Sequence, residues 1–536
     1  MKTLTSQPSL HRKLQFAPVF ALAMFASAMF AAEPAVPAPP KAAVSAINPT
    51  EMRMHLEFLS SPELGGRYTL APNFAISAKY LASRLKSYGY KGAGANGSFF
   101  QPFEIVSAKQ DPEKSKLSLT IGKDTTQPAY GDFYSATRFT GSAEGGIVFV
   151  GYGISSPAQK YDDYAGLDVK SKIVLIASGT PTSVDNSKLE DIEEDEGAAR
   201  AHGAVGIIRL PSANFVRMMA NPSYKENSSR FPLNRLAAEK ADKLPTIRLT
   251  PALADKLLAQ VGTTVDKVND TTKGGGALTP KALDASANFT AAVVETKTGT
   301  QNVVATLQGT DPKLRDEYIT FSAHYDHLGT NARGEMYPGA DDDGSGTTAV
   351  LNIAQAMAMQ PPKRSVFIIF HAGEELGLLG SKYNTDFAPA IPLEKLVVDL
   401  NIDMIGRSRP AGDTEKANEA LTGPNAIYLI GADRISKELH QISEATNART
   451  EKMKFDYTMN DPKHPERIYF RSDHWNYAKH GVPIIFYFDG IHVDYHKPTD
   501  TVDKIDFDKM TKVSRLVYET GWTLANMDHR LKKDVN

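Results

Sequence analysis

No cysteine occurs anywhere in the 536 residues. Disulfides and thiolate-held metals are therefore excluded, and any bound metal must be held by His, Asp and Glu. The absence does not fix a compartment, because a large core needs no covalent staple. A charge surplus is missing as well. Lys and Arg total 60 against 62 Asp and Glu, a formal net charge of −2, so no long-range field argues for nucleic acid or an anionic membrane as partner. After residue 32 no apolar run is long enough to suggest a membrane span. What is present is ordinary for a globular protein, 41% hydrophobic and 23% charged residues. The length suggests roughly two to four domains.

The N-terminus specifies a route. Lys2, His11, Arg12 and Lys13 form a basic head, residues 14–32 are largely apolar around Pro18, and Ala26-Ser27-Ala28 supplies small residues for cleavage. This pattern predicts a signal peptide over 1–32 and an exported protein, periplasmic or secreted, with no membrane association after cleavage. No cysteine follows for lipid attachment. The Pro- and Ala-rich stretch 33–47 reads as an extended linker.

Three textures follow. Residues 48–106 begin with helical spacing, Met54, Leu56 and Leu59, then Ile76, Tyr80, Leu81, Leu85 and Tyr88, and continue into a strand through Phe99, Phe100, Phe103 and Ile105. Residues 107–284 alternate short strands with glycine punctuation, at 146–150, 172–176 and 204–210. Within them the acidic run 190–196 reads as the solvated start of a helix, 212–237 as irregular loop, and 262–277 as a polar, Gly-rich boundary. Residues 285–530 then alternate strand and helix, with strands expected at 303–307, 318–323, 366–370, 396–402, 427–430 and 483–488 and helices at 347–359 and 435–445. That alternation predicts an open α/β sheet whose sites lie at the carboxyl ends of strands.

Five segments at or just after those strands carry metal-type ligands. They are His324-Tyr325-Asp326-His327, Asp341-Asp342-Asp343 within a Gly-rich turn, His371-Ala372-Gly373-Glu374-Glu375, Asn401-Ile402-Asp403, and Tyr495-His496 through Asp500. Asp403 sits in an apolar strand environment, where an unpaired carboxylate is costly. Imidazole and carboxylate without thiolate suit zinc with open positions, although manganese or cobalt can occupy such ligands. Two His and several carboxylates exceed the needs of one ion. A pair of ions bridged by one carboxylate, roughly 3.5–4 Å apart, is the simplest arrangement. The adjacent Glu374 and Glu375 can then supply a general base and a ligand from one loop.

This set of motifs resembles the secreted bacterial di-zinc aminopeptidases, relatives of glutamate carboxypeptidase II and the transferrin receptor. The resemblance covers residues 324–500. It implies a mixed-sheet, three-layer α/β exopeptidase core binding two Zn²⁺ ions. It places His324, Asp342 and Asp403 around one ion, and Asp342, Glu375 and His496 around the other, with Asp342 bridging. It makes Glu374 the general base, Tyr495 a hydrogen-bond donor to the scissile oxygen, and Asp326 the partner of His324. It also implies a cis peptide between Asp342 and Asp343. Arg471-Ser472-Asp473-His474 matches a recurring family segment, and His327, His371 and His474 are expected to lie near the site without ligating metal. Gly151-Tyr152-Gly153-Ile154, residues 161–169 and Lys172-Ile173-Val174 resemble an inserted, mainly β protease-associated domain, a lid with no catalytic residues.

The activity implied is removal of N-terminal residues from peptide substrates. The alternative is a carboxypeptidase or dipeptidase of the glutamate carboxypeptidase II type, which needs a cationic clamp such as Arg407 or Arg471. Two further alternatives are a glutaminyl cyclase, a type of enzyme that typically uses one zinc and lacks this second domain, and a non-enzymatic receptor, against which the complete ligand set argues. Nothing in the sequence fixes an oligomeric state or a side-chain preference.

Overall fold

The computed structural model describes residues 36–184, 194–219, 233–239, 243–461 and 464–535, and the expected signal peptide lies outside them. Residues 38–536 make one compact unit. The expected linker over 33–47 ends early, because Lys41–Ala46 is already a helix and Ala43 and Ile47 are buried.

Ten strands form the main sheet. Nine follow in the order Leu233–Leu236, Phe100–Gln110, Val293–Leu307, Ser365–His371, Tyr318–His324, Leu396–Ile402, Ile484–Phe488, Ala426–Ile430 and Lys454–Asp456, with Lys91–Gly92 pairing beside Val293–Leu307. The centre is parallel: Tyr318–His324 lies between Ser365–His371 and Leu396–Ile402, and Leu396–Ile402 pairs onward with Ile484–Phe488. Val293–Leu307 and Ala426–Ile430 flank it antiparallel, so the sheet is mixed. Ser365–His371, Leu396–Ile402 and Ile484–Phe488 are buried at every position. Their nearly unbroken Val, Ile, Leu and Phe content is what a parallel strand covered on both faces requires.

One face of the sheet carries Gly344–Met359, flanked by Pro49–Leu59, Phe74–Ser87 and Phe507–Asn526. Gly521 lets the last of these lie close, since a Cβ there would stand 2.3 Å from the Phe321 ring. The other face is covered by short segments and an aromatic cluster that includes Phe486, Phe488, Tyr469, Phe470 and Tyr477. Pro49–Leu59 starts where Asn48 accepts hydrogen bonds from the amides of Thr50 and Glu51, with Pro at the first helical position. Its buried face is Met52, His55, Leu56 and Leu59, a spacing of i, i+3, i+4 and i+7. Met54 and Ile76, expected inside, are 49% and 48% exposed, because the inward faces run through Met52 and through Phe74, Ala78 and Leu81 instead.

A second sheet of eight strands lies between residues 116 and 291, with helices Pro251–Leu258 and Val265–Lys273 packed on it. The expected boundaries at 106/107 and 284/285 both fall inside strands, Phe100–Gln110 and Lys281–Ala291. Three local expectations are corrected. Residues 212–237, expected to be loop, contain the helix Ala213–Met219 and the strand Leu233–Leu236, which returns to pair antiparallel with Phe100–Gln110 of the main sheet. Residues 262–277, expected to be a boundary, contain Val265–Lys273, capped by Thr264 and anchored through only two buried residues, Val265 and Val268. Of the acidic run, 190–193 lie outside the described residues; 194–196 open the helix Glu194–Ala201, where Asp195 is ion-paired with Arg209 rather than solvated. In the segment 151–163, the buried Asp163 carboxylate accepts from the Ile154 amide at 3.0 Å and the Tyr161 hydroxyl at 2.7 Å, a structural role. Among the described residues no helix is long and apolar enough to cross a membrane.

Candidate metal centre

Four neighbouring parallel strands end on one edge of the main sheet, and the ligand-type residues sit on or just past those ends. His324 closes its own strand, Glu374 and Glu375 follow Ser365–His371, Asp403 follows Leu396–Ile402, and Tyr495 and His496 lie in the loop after Ile484–Phe488. Asp342 arrives in the turn that opens Gly344–Met359, and the peptide between Asp342 and Asp343 is cis. This is the strand-end crevice at which open α/β sheets place their sites.

The two oxygens of Asp342 face two different imidazoles. Oδ1 lies 3.3 Å from His324 Nε2, while Oδ2 lies 3.1 Å from His496 Nε2. Around His324 Nε2 also stand Asp403 Oδ1 at 3.6 Å and Glu374 Oε2 at 3.9 Å. Around His496 Nε2 stands Glu375 Oε2 at 3.2 Å. Donors bound to one tetrahedral zinc at about 2.0–2.2 Å are themselves roughly 3.3–3.6 Å apart, so these spacings suit coordination to shared ions. His324, Glu374 and Asp403 each bring a ligand atom within 4.8 Å of the others, and so do His327, Asp342 and Glu375. His324, Asp342 and Asp403 are buried, whereas the His496 side chain is 36% exposed and marks the open side.

Buried opposite charges dominate the electrostatics of the cluster. Burial alone pushes Asp342 up, yet His327, His324 and His496 hold its carboxyl well below the ordinary range. Burial pulls His496 down, but Asp342 and Glu375 push it to about 10. His324 is likewise dragged down by burial and lifted well above its ordinary value by Glu374, Asp403 and Asp342. Glu374 moves well up through burial, His324 opposing and Glu375, Asp403 and Asp473 adding to it. Imidazoles and carboxylates are thus packed together in a buried cluster, and the donor set fits divalent metal.

A shell of buried contacts fixes this geometry. Asp343 caps Gly344–Met359 through the Gly346 amide at 2.9 Å, and its carboxylate also accepts from the amides of His324 and Met404, both at 3.2 Å. Gly346 is required there, since a Cβ would stand 2.4 Å from the Ile402 carbonyl oxygen and from Asp343 Oδ1. Asp500 accepts from the amides of Asp341 and Asp342 at 3.0 and 3.2 Å. Arg67, 1% exposed, donates to the carbonyls of Tyr325, Leu59, Pro338, Gly339 and Asp342 at 3.0, 2.7, 2.6, 2.8 and 3.5 Å. Arg67, Met404 and His496 adopt left-handed backbone with φ of 51°, 59° and 55°. Each such non-Gly residue costs on the order of 1–3 kcal/mol, and their gathering here is typical of sites the surrounding fold over-determines.

The remaining sequence candidates separate clearly. Asp326 meets the His324 Nδ1 first through its carbonyl oxygen, at 3.2 Å, with its carboxylate 3.7 Å away. That carboxylate instead accepts from Thr69 Oγ1 at 2.7 Å and from the Glu374 amide at 3.2 Å, so it seats the Glu374 loop. Tyr495 stacks on His496 with ring centroids 3.8 Å apart, and burial together with Asp342, Glu375 and Glu374 keeps its hydroxyl protonated. His371 pairs with Asp473 at 3.2 Å, and His474 lies 2.7 Å from the Tyr469 carbonyl oxygen with burial lowering it to about 4; both are framework. Ser472 accepts from the Asn401 side-chain amide at 3.2 Å, so the 471–474 segment packs on the strand that leads to Asp403. Arg407 is committed to Asp494 at 2.7 Å, whereas Arg471 lines the cavity beside the cluster. That small cavity is walled by Met404, Ile468, Phe486, Phe488 and Ile491, with Tyr495 at the metal end. Sequence reasoning missed Arg67 and Thr69, since a Gly-Gly-Arg turn and a distant threonine carry no ligand signal, and it included Asp500 only as the end of a ligand-type segment without its role on the Asp341 and Asp342 amides.

Comparison with known proteins agrees with this geometry. Residues 302–521 match the model of peptidase family M28. A probable leucine aminopeptidase 2 of Aspergillus oryzae is 32% identical over 186 residues, 34% of this chain and 32% of that one. The aminopeptidase YwaD of Bacillus subtilis is 28% identical over 224 residues, 40% of this chain and 43% of that one. The matched stretches therefore span only about a third to two fifths of these relatives. The solved aminopeptidase from Aneurinibacillus sp. strain AM-1 shares the fold at 19% identity with a TM-score of 0.53, covering 92% of this chain and 98% of that one. The matched residues 302–521 hold His324, Asp342, Glu374, Glu375, Asp403 and His496, so it is the part of the chain carrying the candidate metal centre that is similar to peptidase family M28.

Proposed function

We propose that the protein is an exported, zinc-dependent aminopeptidase that binds two ions and releases N-terminal residues from peptides. The observation that carries this reading is the split of Asp342 between His324 on one side and His496 on the other, with an unshared carboxylate, Glu374, next to the ligand Glu375. His324, Asp342 and Asp403 would hold one ion, and Asp342, Glu375 and His496 the other. Bound there, zinc supplies a Lewis acid that polarises the scissile carbonyl and makes water easier to deprotonate.

The chain's own groups account for the remaining chemistry. Glu374 accepts the proton of the attacking water and passes it to the leaving amine. Asp326 keeps that loop in place through the Glu374 amide. The protonated Tyr495 hydroxyl donates a hydrogen bond to the oxygen on which negative charge develops. A free α-amine finds carboxylates at Glu374 and Asp403, and the first side chain enters the apolar cavity of Met404, Ile468, Phe486, Phe488 and Ile491. That lining supports apolar N-terminal residues as the favoured substrates. The second-sheet unit reads as a protease-associated module; none of the residues lining the cavity comes from it. Export rests on the N-terminal pattern of a basic head, apolar run and small residues.

Arg471 gives the carboxypeptidase reading its single foothold, because it lines the cavity and its partner Glu466 is exposed. A matched peptide panel separates the two readings. Peptides with free and acetylated N-termini, incubated with and without chelator, should lose their N-terminal residue only when the amine is free and metal is present. Shortening of acetylated peptides from the C-terminal end would establish the alternative.

A further inference from the structure

His327 lies on the same loop as His324, yet none of the roles above requires it. Its ring is fully buried. Nδ1 lies 2.7 Å from Glu375 Oε1, and neither atom has another hydrogen-bond partner; the ring Nε2 has none at all. The two atoms are close but not collinear with the ring N–H. A buried donor and acceptor left in that state are each costly, so their joint placement calls for a reason.

The division of Glu375 supplies one. Its Oε2 faces His496 Nε2 at 3.2 Å, on the side where Asp342 Oδ2 is 3.1 Å from the same nitrogen. Its Oε1 faces His327. His496 is thus nearly equidistant from both carboxylates, at the separations expected of donors that share an ion. His327 is at hydrogen-bonding distance from one carboxylate oxygen and 3.7 Å from Asp342 Oδ2. At 2.7 Å, His327 and Glu375 are closer than the roughly 3.3–3.6 Å that separates donors on one tetrahedral zinc. Hydrogen bonds between charged or polarised partners do reach about 2.7–2.9 Å.

The His327 ring is itself fixed. Its backbone amide donates to the Arg67 carbonyl at 3.0 Å, and Gly339 leaves it room, since a Cβ there would stand 2.5 Å from the ring. We infer that His327 is a positioning residue: its Nδ1, 2.7 Å from Oε1 of Glu375, takes up that oxygen by hydrogen bond once Oε2 is drawn to the ion shared by Asp342 and His496. The inference rests on the two-ion reading above. It assigns the ring to the carboxylate and not to the metal, an outer contact of the kind that fixes a ligand's orientation and raises its affinity.

The test is zinc affinity of the purified full-length protein, measured by chelator competition for each of two equivalents, with thermal unfolding of the metal-free forms as the folding control. His327→Ala should weaken one equivalent by about 10–100-fold and leave the other within a few-fold. His327→Asn keeps an amide N–H near the Nδ1 position and should recover most of that loss. His327→Gln places its amide near Nε2 and should not. An unchanged affinity in His327→Ala overturns the inference. So does an Asn variant as weak as Ala, because that result makes the ring a direct ligand. Binding of fewer than two equivalents by the unaltered protein would instead defeat the two-ion reading, before any variant is compared.

Discussion

Glu374→Gln lowers kcat by about 10²–10⁴-fold while leaving zinc content unchanged. The substitution keeps the shape and the hydrogen-bonding amide but removes the atom that takes a proton. Glu374 Oε2 is the most distant carboxylate oxygen around His324 Nε2, at 3.9 Å against 3.3 Å for Asp342 and 3.6 Å for Asp403. It is therefore the carboxylate most easily spared from coordination. Its surroundings also suit a proton carrier, since burial and neighbouring acids lift it well above the ordinary carboxyl range. KM for a free-amine peptide should change only a few-fold, because the apolar cavity and Asp403 remain. Steady-state kinetics and metal analysis on the same preparation check the prediction. Retention of more than a tenth of the activity, or loss of zinc in parallel with activity, would remove Glu374 from the base role.

The second large effect lies far from the ligands in sequence. Arg67→Met destabilises the folded protein by about 3–5 kcal/mol and weakens metal binding at the same time. Arg67 spends all of its donor capacity on five carbonyl oxygens, three of them in the loop carrying Asp342, at Pro338, Gly339 and Asp342. Methionine fills similar volume without a donor, so those buried carbonyls lose their partners. Arg67 also stands among Asp342, Asp343, Asp500 and Asp326, whose charges offset the cost of burying the guanidinium. Its removal leaves buried negative charge uncompensated. Calorimetry should show the main transition lowered by about 3–5 °C. An unchanged transition would mean that the five contacts are incidental to stability.

These two residues mark where the sequence is legible and where it is not. His324, Glu374, Glu375 and Asp403 can be read because each combines a ligand-type side chain with a strand end, Asp342 and His496 because they stand in ligand-type motifs at a helix start and in a loop, and strands such as Ser365–His371 announce themselves by continuous apolar runs. The main α/β order is legible for the same reason. Arg67 and Thr69 cannot be read. They act across 258 and 257 positions, on Tyr325 and Asp326, and no periodicity links residues so far apart. The return of Leu233–Leu236 to the main sheet is hidden similarly, since a four-residue strand earns its place only through pairing with Phe100–Gln110. Val265–Lys273 escapes because two valines and a threonine cap are too few to mark a helix within a polar, glycine-flanked segment. His327 lies between these cases. Its residue type is visible, but its role follows only from which oxygen of Glu375 it faces.

The N-terminal segment that ends in Arg67 and Thr69 precedes the second sheet, while the ligands follow it. The site is therefore assembled from both sides of the insertion. This explains why the chain packs as one compact unit over 38–536 and not as separable lobes. It also explains why Asp326 serves the Glu374 loop: its carboxylate joins Thr69 from one side of the insertion to the Glu374 amide from the other.

The most direct test of the account is anomalous diffraction at the zinc edge from crystals of the zinc-loaded protein. The account predicts two peaks roughly 3.5–4 Å apart, one contacting His324, Asp342 and Asp403 and the other contacting Asp342, Glu375 and His496. A single peak, or peaks that leave Asp342 without contact to both ions, would contradict it.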